Sequence, residues 1–250
     1  KYLVKESHKE GRVLVFLKPC DTYSFNQLIK EHRIARENIY VIGVPCAGKT
    51  DGETLKALGL KGILGVKDAG DSFTVETLYG EKTVSKQEAL PERCRSCKSH
   101  KHMVYDELLG EEGEVLDSHR FDMVEKIESM SADERFAFWQ GELSRCIRCN
   151  ACRNVCPACT CEKCVFDNEN SGIAQKAAAD SFEESMFHII RAFHVAGRCT
   201  DCGECSRVCP QNIPLHLLNR KFIKDINTFY GAYQAGEDTE SRAPLTNYTK

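Results

Sequence analysis

The sequence lacks the features that direct a protein to a membrane, to nucleic acid or to the cell exterior. Its longest apolar runs, such as Val13–Leu17 and Ile39–Val44, fall far short of the roughly 20 residues that a membrane-spanning helix needs. A formal net charge of −3 provides no basic field for nucleic acid. No signal peptide opens the sequence. We therefore expect a cytoplasmic protein with no membrane span and no nucleic-acid partner, and because it begins at Lys1 rather than Met we expect that an upstream piece is missing.

Cysteine, in contrast, is abundant. Fifteen cysteines in 250 residues would suggest a disulfide scaffold in a small secreted protein. Here the odd number would leave one thiol unpaired, and the chain is long enough to bury a core of its own. A reducing, anaerobic cytoplasm fits these thiols better than an oxidising compartment.

Eight of the cysteines form two runs of identical spacing near the C-terminal end. The runs are Cys146-x-x-Cys149-x-x-Cys152-x-x-x-Cys156-Pro157 and Cys199-x-x-Cys202-x-x-Cys205-x-x-x-Cys209-Pro210. Both reproduce the ligand spacing of bacterial ferredoxins, in which one loop wraps three corners of a [4Fe–4S] cubane. Two complete runs leave little room for disulfides or for zinc sites, which use different spacings.

The fourth ligand of each cubane must come from outside its own loop. In two-cluster ferredoxins the last cysteine of each run ligates the cluster of the other run. The spacing therefore predicts two [4Fe–4S] clusters, the first on Cys146, Cys149, Cys152 and Cys209, and the second on Cys199, Cys202, Cys205 and Cys156. A chain with two such clusters transfers electrons.

The first ninety residues or so are typical of a small α/β domain. The β-rich runs Arg12–Leu17 and Ile39–Val44 flank a helical stretch, Ser24–His32, which indicates a βαβ unit. Alternating residues in Phe73–Leu78, followed by Gly80 and Glu81, predict a hairpin.

The second half is typical of helices that lead into cysteine loops. Capping boxes at Ser131–Glu134 and Ser181–Glu184 predict helices just before the two runs. The second helix has one apolar side, formed by Met186, Ile189, Ile190 and Phe193. Leu215–Phe229 predicts a closing amphipathic helix. The helical insert between the runs favours an α-helical ferredoxin arrangement over the small β-containing one.

These patterns together predict an α+β protein. A small α/β domain with an additional cluster site occupies residues 1–110, and an acidic linker occupies residues 111–130. A mainly helical, dicluster [4Fe–4S] ferredoxin-like domain occupies residues 131–236, and residues 237–250 form a loosely held tail.

Four further cysteines lie in the N-terminal region. Cys20 and Cys46 each follow a predicted strand and a proline, so parallel strands would bring both thiols to one sheet edge, where ligands of α/β sheets gather. Closure of Cys94-x-x-Cys97 over that edge would complete a third [4Fe–4S] cluster. A structural zinc on the same four residues, or two buried cysteines beside a redox dithiol, are the alternatives.

Three cysteines that directly follow the first run stay unassigned: Cys159, Cys161 and Cys164. They are too few to close a four-ligand site alone. Either they bind a metal together with a partner or a missing segment, or they line the cluster pocket without ligating. Cys159 could also replace Cys156 as a ligand.

Several basic side chains lie near the cysteines in the sequence. His100 and His102 are close enough to touch the third site, but their lysine neighbours favour a surface position. Five arginines could raise the reduction potential of a cluster or could be solvated loop charges: Arg145, Arg148, Arg153, Arg198 and Arg207.

The segment Gly43–Thr50 matches the phosphate-binding loop of nucleotide hydrolases and follows a predicted strand. The next residue, Asp51, places a negative charge where a phosphate would bind a helix N-terminus. The α/β region also has too few strands for a complete hydrolase domain, so a nucleotide site is the less favoured interpretation of this motif.

The order of these motifs resembles the β-subunit family of deazaflavin-coenzyme-reducing hydrogenases and formate dehydrogenases. The resemblance rests on Lys18-Pro19-Cys20-Asp21, Gly43-Val44-Pro45-Cys46 and Cys94-Arg95-Ser96-Cys97, followed by the dicluster module. It implies a third cluster on the four N-terminal cysteines. It also implies docking to a hydrogenase, a formate dehydrogenase or a heterodisulfide-reductase-like flavoprotein. Members that reduce the deazaflavin also hold FAD, whereas this chain lacks much of their N-terminal part and carries Lys49-Thr50 after the second cysteine.

The leading hypothesis is an iron–sulfur subunit that relays single electrons between a partner and another carrier, without substrate chemistry of its own. The alternative is a flavin-containing oxidoreductase subunit that couples hydride transfer from a soluble carrier to the clusters. A nucleotide-gated electron-transfer ATPase is the third hypothesis.

Overall fold

The computed structural model describes residues 1–168, 170 and 181–245. Its helices are α1 (Leu3–Glu6), α2 (Pro19–Lys30), α3 (Gly52–Ala57), α4 (Lys86–Ala89), α5 (Glu92–Arg95), α6 (Asp122–Glu128), α7 (Ala132–Leu143), α8 (Ala151–Val155), α9 (Ser181–Val195), α10 (Glu204–Arg207) and α11 (Leu215–Tyr230). Its strands are β1 (Val13–Leu17), β2 (Ile39–Gly43), β3 (Ile63–Asp68), β4 (Ser72–Thr77), β5 (Gly80–Ser85) and β6 (Glu107–Leu108). Among the helices in these ranges, none is both long enough and apolar enough to cross a membrane.

The first sheet has the predicted parallel arrangement. β1 and β2 pair in parallel and are joined through α2, and the short β6 adds a third parallel strand that the sequence pattern does not reveal. α2 begins at Pro19, five residues before the predicted start at Ser24, because proline is favoured at the first helical position, where its missing N–H is not needed. Phe25 and Leu28 of α2 pack against the strands in a small apolar core.

The second sheet is an antiparallel meander of β3, β4 and β5. β4 and β5 form the predicted hairpin, in which Thr77 pairs with Gly80. Val75 of its inner side packs against Leu55 of α3 and Ala89 of α4 in a second small core. The hairpin prediction is therefore confirmed, although this sheet does not join the parallel one.

The C-terminal part is helical, as predicted: residues 131–168 and 181–245 contain no strand. α7 begins with the predicted capping box, in which the Glu134 amide donates to the Ser131 hydroxyl and the Ser131 amide donates to the Glu134 carboxylate at 2.9 Å. α9 begins at Ser181, but the Ser181 side chain, and with it the second predicted capping box, lies outside the described residues.

The apolar residues that the sequence places on one side of α9 differ in burial: Ile190 packs against the C-terminal core. Phe193 is 62% exposed and Ile189 is 39% exposed. The buried residues of α9 include three polar or charged ones, Glu184, His188 and Arg191. An apolar helical pattern does not reveal buried charges of this kind, and the core beside α9 also contains cysteines of both runs.

Two segments that the sequence assigns to a linker and a tail pack on the folded protein. α6 lies inside the predicted linker and buries Val124 and Ile127. In residues 237–245, Ala243 is buried and Ser241 accepts a hydrogen bond from Lys30 of α2 at 2.9 Å. Residues 246–250 lie outside the described ranges. The apolar side chains of Val124, Ile127 and Ala243 anchor these segments.

Candidate metal centres

The four cysteines predicted for the first cluster line one small recess: Cys146, Cys149, Cys152 and Cys209. The recess lies between the first cysteine loop (residues 146–156), the side of α9 that carries Phe187 and His188, and the residues around Pro210. Cys149 is exposed at its mouth and Cys152 is buried at its base. Cys209 reaches this recess from the other run, as exchange of the last ligand requires.

The three cysteines of the second run that are predicted to bind the second cluster lie near Cys156. After burial, which has the largest effect, the nearby Cys156 contributes to raising the pKa values of Cys199, Cys202 and Cys205. Cys156 belongs to the first run, so the two runs exchange their last cysteines in space. The second cysteine loop (residues 199–209) and the first one thus enclose neighbouring sites.

The two loops share an uncommon backbone. Arg148 and Asp201 occupy the same position in their loops and have φ of 54° and 58°. Asn150 and Gly203, each two residues further along its loop, also occupy equivalent positions and have φ of 61° and 68°. Left-handed residues alternating with ordinary ones turn successive amides toward one concave side, a geometry that binds anions and many iron–sulfur centres.

Some of these amides reach the sulfurs. The amide of Arg148 donates to Sγ of Cys146 at 3.4 Å, and the amide of Asp201 hydrogen-bonds to the equivalent sulfur of Cys199. Asn219 of α11 adds a side-chain donor, with its Nδ2 3.6 Å from Sγ of Cys205. Such hydrogen bonds to sulfur are one means by which a protein tunes cluster potential.

The chemistry of the thiols fits coordination rather than free reactivity. All fifteen cysteines, which lie within the described ranges, are free thiols. Burial raises the pKa of Cys146 and of Cys202 to about 12, so without a metal these thiols keep their protons and are inert nucleophiles. A coordinating metal deprotonates such a thiol outright. The donor set therefore suits clusters held by thiolates.

The N-terminal cysteines share a second, larger cavity of about 1250 Å³: Cys20, Cys46, Cys94 and Cys97 all line it. Cys20 lies in the first turn of α2 and Cys46 follows β2, so the parallel strands do bring both to one sheet edge. Cys94 lies in α5, and its sulfur points toward the Lys49 carbonyl at 3.6 Å. Burial, followed by the neighbouring Asp21, raises the pKa of Cys20 to about 12.

This cysteine cavity adjoins the second cysteine loop. Cys202 lines the same cavity, and it is among the groups that raise the pKa of Cys20 after burial and Asp21. Lys98, next to Cys97, donates to the Thr200 carbonyl and lies 4.1 Å from the centre of the Tyr23 ring. The third set of cysteines is therefore a direct neighbour of the second.

A buried ionic network joins the same two parts. Arg220 of α11 is 1% exposed; its Nε lies 2.7 Å from Asp201, and its Nη1 lies 2.7 Å from Glu92. Burial would raise the pKa of Glu92, but hydrogen bonding to His216 and the charge of Arg220 outweigh it and lower the pKa to about 2. Glu92 therefore stays charged and fixes α5 against the second cysteine loop.

The other predicted residues have mixed outcomes. His102 is buried, contrary to the surface position that its neighbours favour, because its ring bridges Glu112 and the Val44 carbonyl. Cys159 donates a hydrogen bond to the Cys156 sulfur, which lowers the pKa of Cys156 and raises that of Cys159. Cys159 and Cys161 line the cysteine cavity, whereas Cys164 lies against Arg153.

The five arginines chosen from the sequence all pair with carboxylates. Their partners are Glu142 for Arg145, Glu184 for Arg148, Asp167 for Arg153, Glu31 for Arg198 and Glu204 for Arg207. Sequence reasoning missed Arg191, which is 4% exposed and faces the cysteines of both loops. In the sequence Arg191 is marked only as a charged residue within the apolar stretch of residues 189–193.

The loop at Gly43–Thr50 lacks the phosphate-binding arrangement. α3 begins at Gly52, and the Asp51 carboxylate accepts from the Thr54 amide at 2.9 Å, so a side chain already caps the helix. The Thr50 hydroxyl donates to the Ala89 carbonyl instead of facing a ligand. Because Lys49 and Thr50 precede the helix rather than open it, this geometry does not favour a nucleotide site.

Comparison with known proteins gives matches to both halves. The model of a 4Fe-4S dicluster domain matches residues 142–213. The F420-dependent formate dehydrogenase subunit β of Methanocaldococcus jannaschii is 25% identical over 304 aligned residues, covering 98% of this chain and 79% of that protein. The F420-dependent formate dehydrogenase 1 subunit β of Methanococcus maripaludis is 23% identical, covering 97% of this chain and 78% of that protein. Both matches extend well beyond the dicluster domain.

Proposed function

We propose that this chain, which is similar to the β subunits of F420-dependent formate dehydrogenases and carries a dicluster domain, relays electrons within a formate-dehydrogenase-type complex. The chain is an iron–sulfur electron-transfer subunit of an oxidoreductase. Its proposed partners are a catalytic or flavin-bearing subunit on one side and a second carrier on the other. Hydrogenase and heterodisulfide-reductase-like flavoproteins are the related partner types.

Three clusters form part of the proposal. The ligands of the first are Cys146, Cys149, Cys152 and Cys209, those of the second are Cys199, Cys202, Cys205 and Cys156, and those of the third are Cys20, Cys46, Cys94 and Cys97. The first two assignments are supported by the shared recess, by the proximity of Cys156 to the second run and by the matching loop backbones. The third is supported by the common cavity alone.

The protein's own residues hold the clusters and control their surroundings. The cubanes supply reversible one-electron chemistry when bound. The loop amides orient the thiolates and hydrogen-bond to them, Phe187 and Leu215 keep water from the base of the first recess, and Arg220 fixes the second loop relative to α5. No side chain has to transfer a proton for such a relay.

The order of transfer that we propose runs from the third cluster through the second to the first. Cys202 of the second set lines the cavity of the third, which supports direct exchange between those two. Cys149 is exposed beside Ile147, which is 59% exposed, so the first cluster is the one that a second carrier can approach. A reducing compartment is part of the proposal because every thiol must stay available.

Iron and sulfide analysis of anaerobically purified protein tests the proposal. We expect about twelve irons per chain, four for each cubane, together with reducible signals in electron paramagnetic resonance. A Cys94→Ala/Cys97→Ala variant should lose about four of them and keep the two ferredoxin-type signals. A content of about eight irons in the unmodified protein would contradict the proposed third cluster. A colourless protein with zinc or disulfides would contradict the whole assignment.

One observation favours the flavin-containing alternative. The cysteine cavity, at about 1250 Å³, exceeds the roughly 300–1,000 Å³ of ordinary ligand pockets, so it has room for an organic cofactor beside a cubane. Release of one FAD per chain on acid treatment would support hydride coupling on this subunit. Absence of flavin from a fully iron-loaded protein would favour the pure relay.

A further inference from the structure

The inner side of α9 carries a buried polar stripe. Glu184, His188 and Arg191 are spaced by four and three residues, and they are 2%, 2% and 4% exposed. They lie among Phe187 and Val195, which are also buried. Polar groups in such surroundings destabilise a fold unless a partner satisfies them, so each of the three needs an explanation.

Glu184 has its partner within the protein. Its carboxylate lies 3.5 Å from Nη1 of Arg148, and the Arg148 guanidinium also stacks on Phe187 at 4.2 Å from the ring centre. This ion pair ties the first cysteine loop to α9. It leaves little net charge for the clusters to respond to.

Arg191 has no carboxylate at ion-pair distance among the described residues. One of its guanidinium nitrogens donates to the Cys152 carbonyl at 3.3 Å, and its Nε has no hydrogen-bond partner there. Burial lowers the pKa of Arg191, but the sulfurs around it outweigh burial and raise the pKa. Those sulfurs belong to Cys156, Cys205, Cys152 and Cys159.

The position of these sulfurs makes Arg191 a shared residue. Cys152 belongs to the first ligand set, whereas Cys156 and Cys205 belong to the second. A fixed cation of this kind attracts whichever form of a nearby cluster is more negative, and the attraction is strong where water is excluded. Addition of one electron makes a cluster more negative without forming or breaking a bond.

His188 faces only the first set. It lines the recess that contains Cys146, and neither of its ring nitrogens has a hydrogen-bond partner among the described residues. Its nearest ring nitrogen, Sγ of Cys146 and a Glu184 oxygen all lie within 4.8 Å of one another. An imidazole keeps at least one N–H in either protonation state, so the buried His188 ring can donate a hydrogen bond into this recess.

We propose that the inner side of α9 sets the reduction potentials of the two ferredoxin-type clusters, with Arg191 acting on both and His188 donating a hydrogen bond into the first alone. Stabilisation of the reduced form raises a potential. This inference rests on the proposed assignment of the two clusters. Both residues act by tuning the clusters, and neither is a ligand.

The test compares four variants by potentiometric titration followed by electron paramagnetic resonance, with iron counted in each. We expect Arg191→Gln to lower the midpoint potentials of both clusters. At a fixed solution potential the ratio of reduced to oxidised cluster should fall about tenfold for each, which corresponds to about 59 mV for one electron. Arg191→Lys, which keeps the charge, should retain most of the potential. His188→Phe should lower only the first. Arg145→Gln removes an exposed charge beside the same loop and is the matched control, with no expected shift.

Each outcome separates the inference from the function. Full iron content with unmoved potentials in Arg191→Gln would overturn the inference and leave the relay intact, and a shift of one cluster alone would overturn the sharing. If Arg191→Gln fails to assemble its clusters, His188→Phe is the deciding variant. An unchanged midpoint potential of the first cluster in His188→Phe, at full iron content, would overturn the proposal. A single zinc lost on His188→Phe would instead identify a mononuclear site. Unmodified protein without clusters would contradict the proposed function itself.

Discussion

The two cysteine loops have the same spacing and the same left-handed backbone positions, but they differ in what surrounds them. The first loop opens to solvent, with Cys149 exposed and Ile147 59% exposed. At the equivalent positions of the second loop, Cys202 is half-buried and Thr200 is 2% exposed. The spacing therefore determines what each loop can bind, while the rest of the protein determines whether it faces a carrier or the interior.

Contacts from the N-terminal region account for the burial of the second loop. The Ser24 and Thr200 hydroxyls lie 2.9 Å apart, Arg93 pairs with Glu204, and Lys98 donates to the Thr200 carbonyl. Among the described residues the first loop has fewer such contacts with the N-terminal region, one of which is a hydrogen bond from Lys1 to the Arg153 carbonyl at 3.2 Å. We infer that the second loop holds the two halves of the protein together.

Removal of a ligand should affect the two loops unequally, and this is the largest effect that we expect. Cys205→Ala should lose the second cluster and lower the melting temperature of the whole chain, because metal binding and folding are coupled in such loops. Cys149→Ala should lose about four irons and leave the N-terminal half folded. Iron analysis and thermal melting under anaerobic conditions measure both. Equal melting temperatures for the two variants would contradict the structural role of the second loop.

Arg220→Met tests the ionic network that supports the second loop. It removes a buried cation and leaves Asp201 and Glu92 without their shared partner, which costs about 3–5 kcal/mol for a buried pair. Arg207→Met is the control: Arg207 pairs with Glu204 at the surface, where loss of a pair costs about 0–1 kcal/mol. Urea unfolding of the iron-loaded proteins gives both values. A cost below that of the control would show that the network does not fix the loop.

The sequence predicted the dicluster part well because its information is local. The cysteines of each run lie within eleven residues of sequence, and the α7 capping box lies within four residues. The sequence also predicted that Cys20 and Cys46 lie at one sheet edge, because the βαβ pattern implies parallel strands. In the structure both cysteines line one cavity.

Features that depend on distant partners were predicted poorly. Nothing in the sequence indicates that Glu184, His188 and Arg191 of α9 are buried, because the groups around them belong to cysteine loops elsewhere in the chain. The position of His102 depends on Glu112, which lies in the segment that was predicted to be a linker. The burial of Ala243 depends on a tail that folds back on α2. None of these contacts leaves a periodic signal in the sequence.

Exchange of the matched left-handed residues should give the smallest effect and the finest comparison. Asn150→Gly places in the first loop the residue that the second loop uses, and because both residues tolerate positive φ we expect a change within about 0.5 kcal/mol. Gly203→Asn makes the reverse exchange. A Cβ at residue 203 would lie 2.8 Å from Cβ of Arg93, and such overpacking costs about 1–3 kcal/mol. Urea midpoints of the two variants, at equal iron content, measure the asymmetry. If Gly203→Asn lowered the urea midpoint no more than Asn150→Gly does, the close contact between Arg93 and the second loop would not contribute to stability. The difference in stability between the two loops would then have to come from their ion pairs alone.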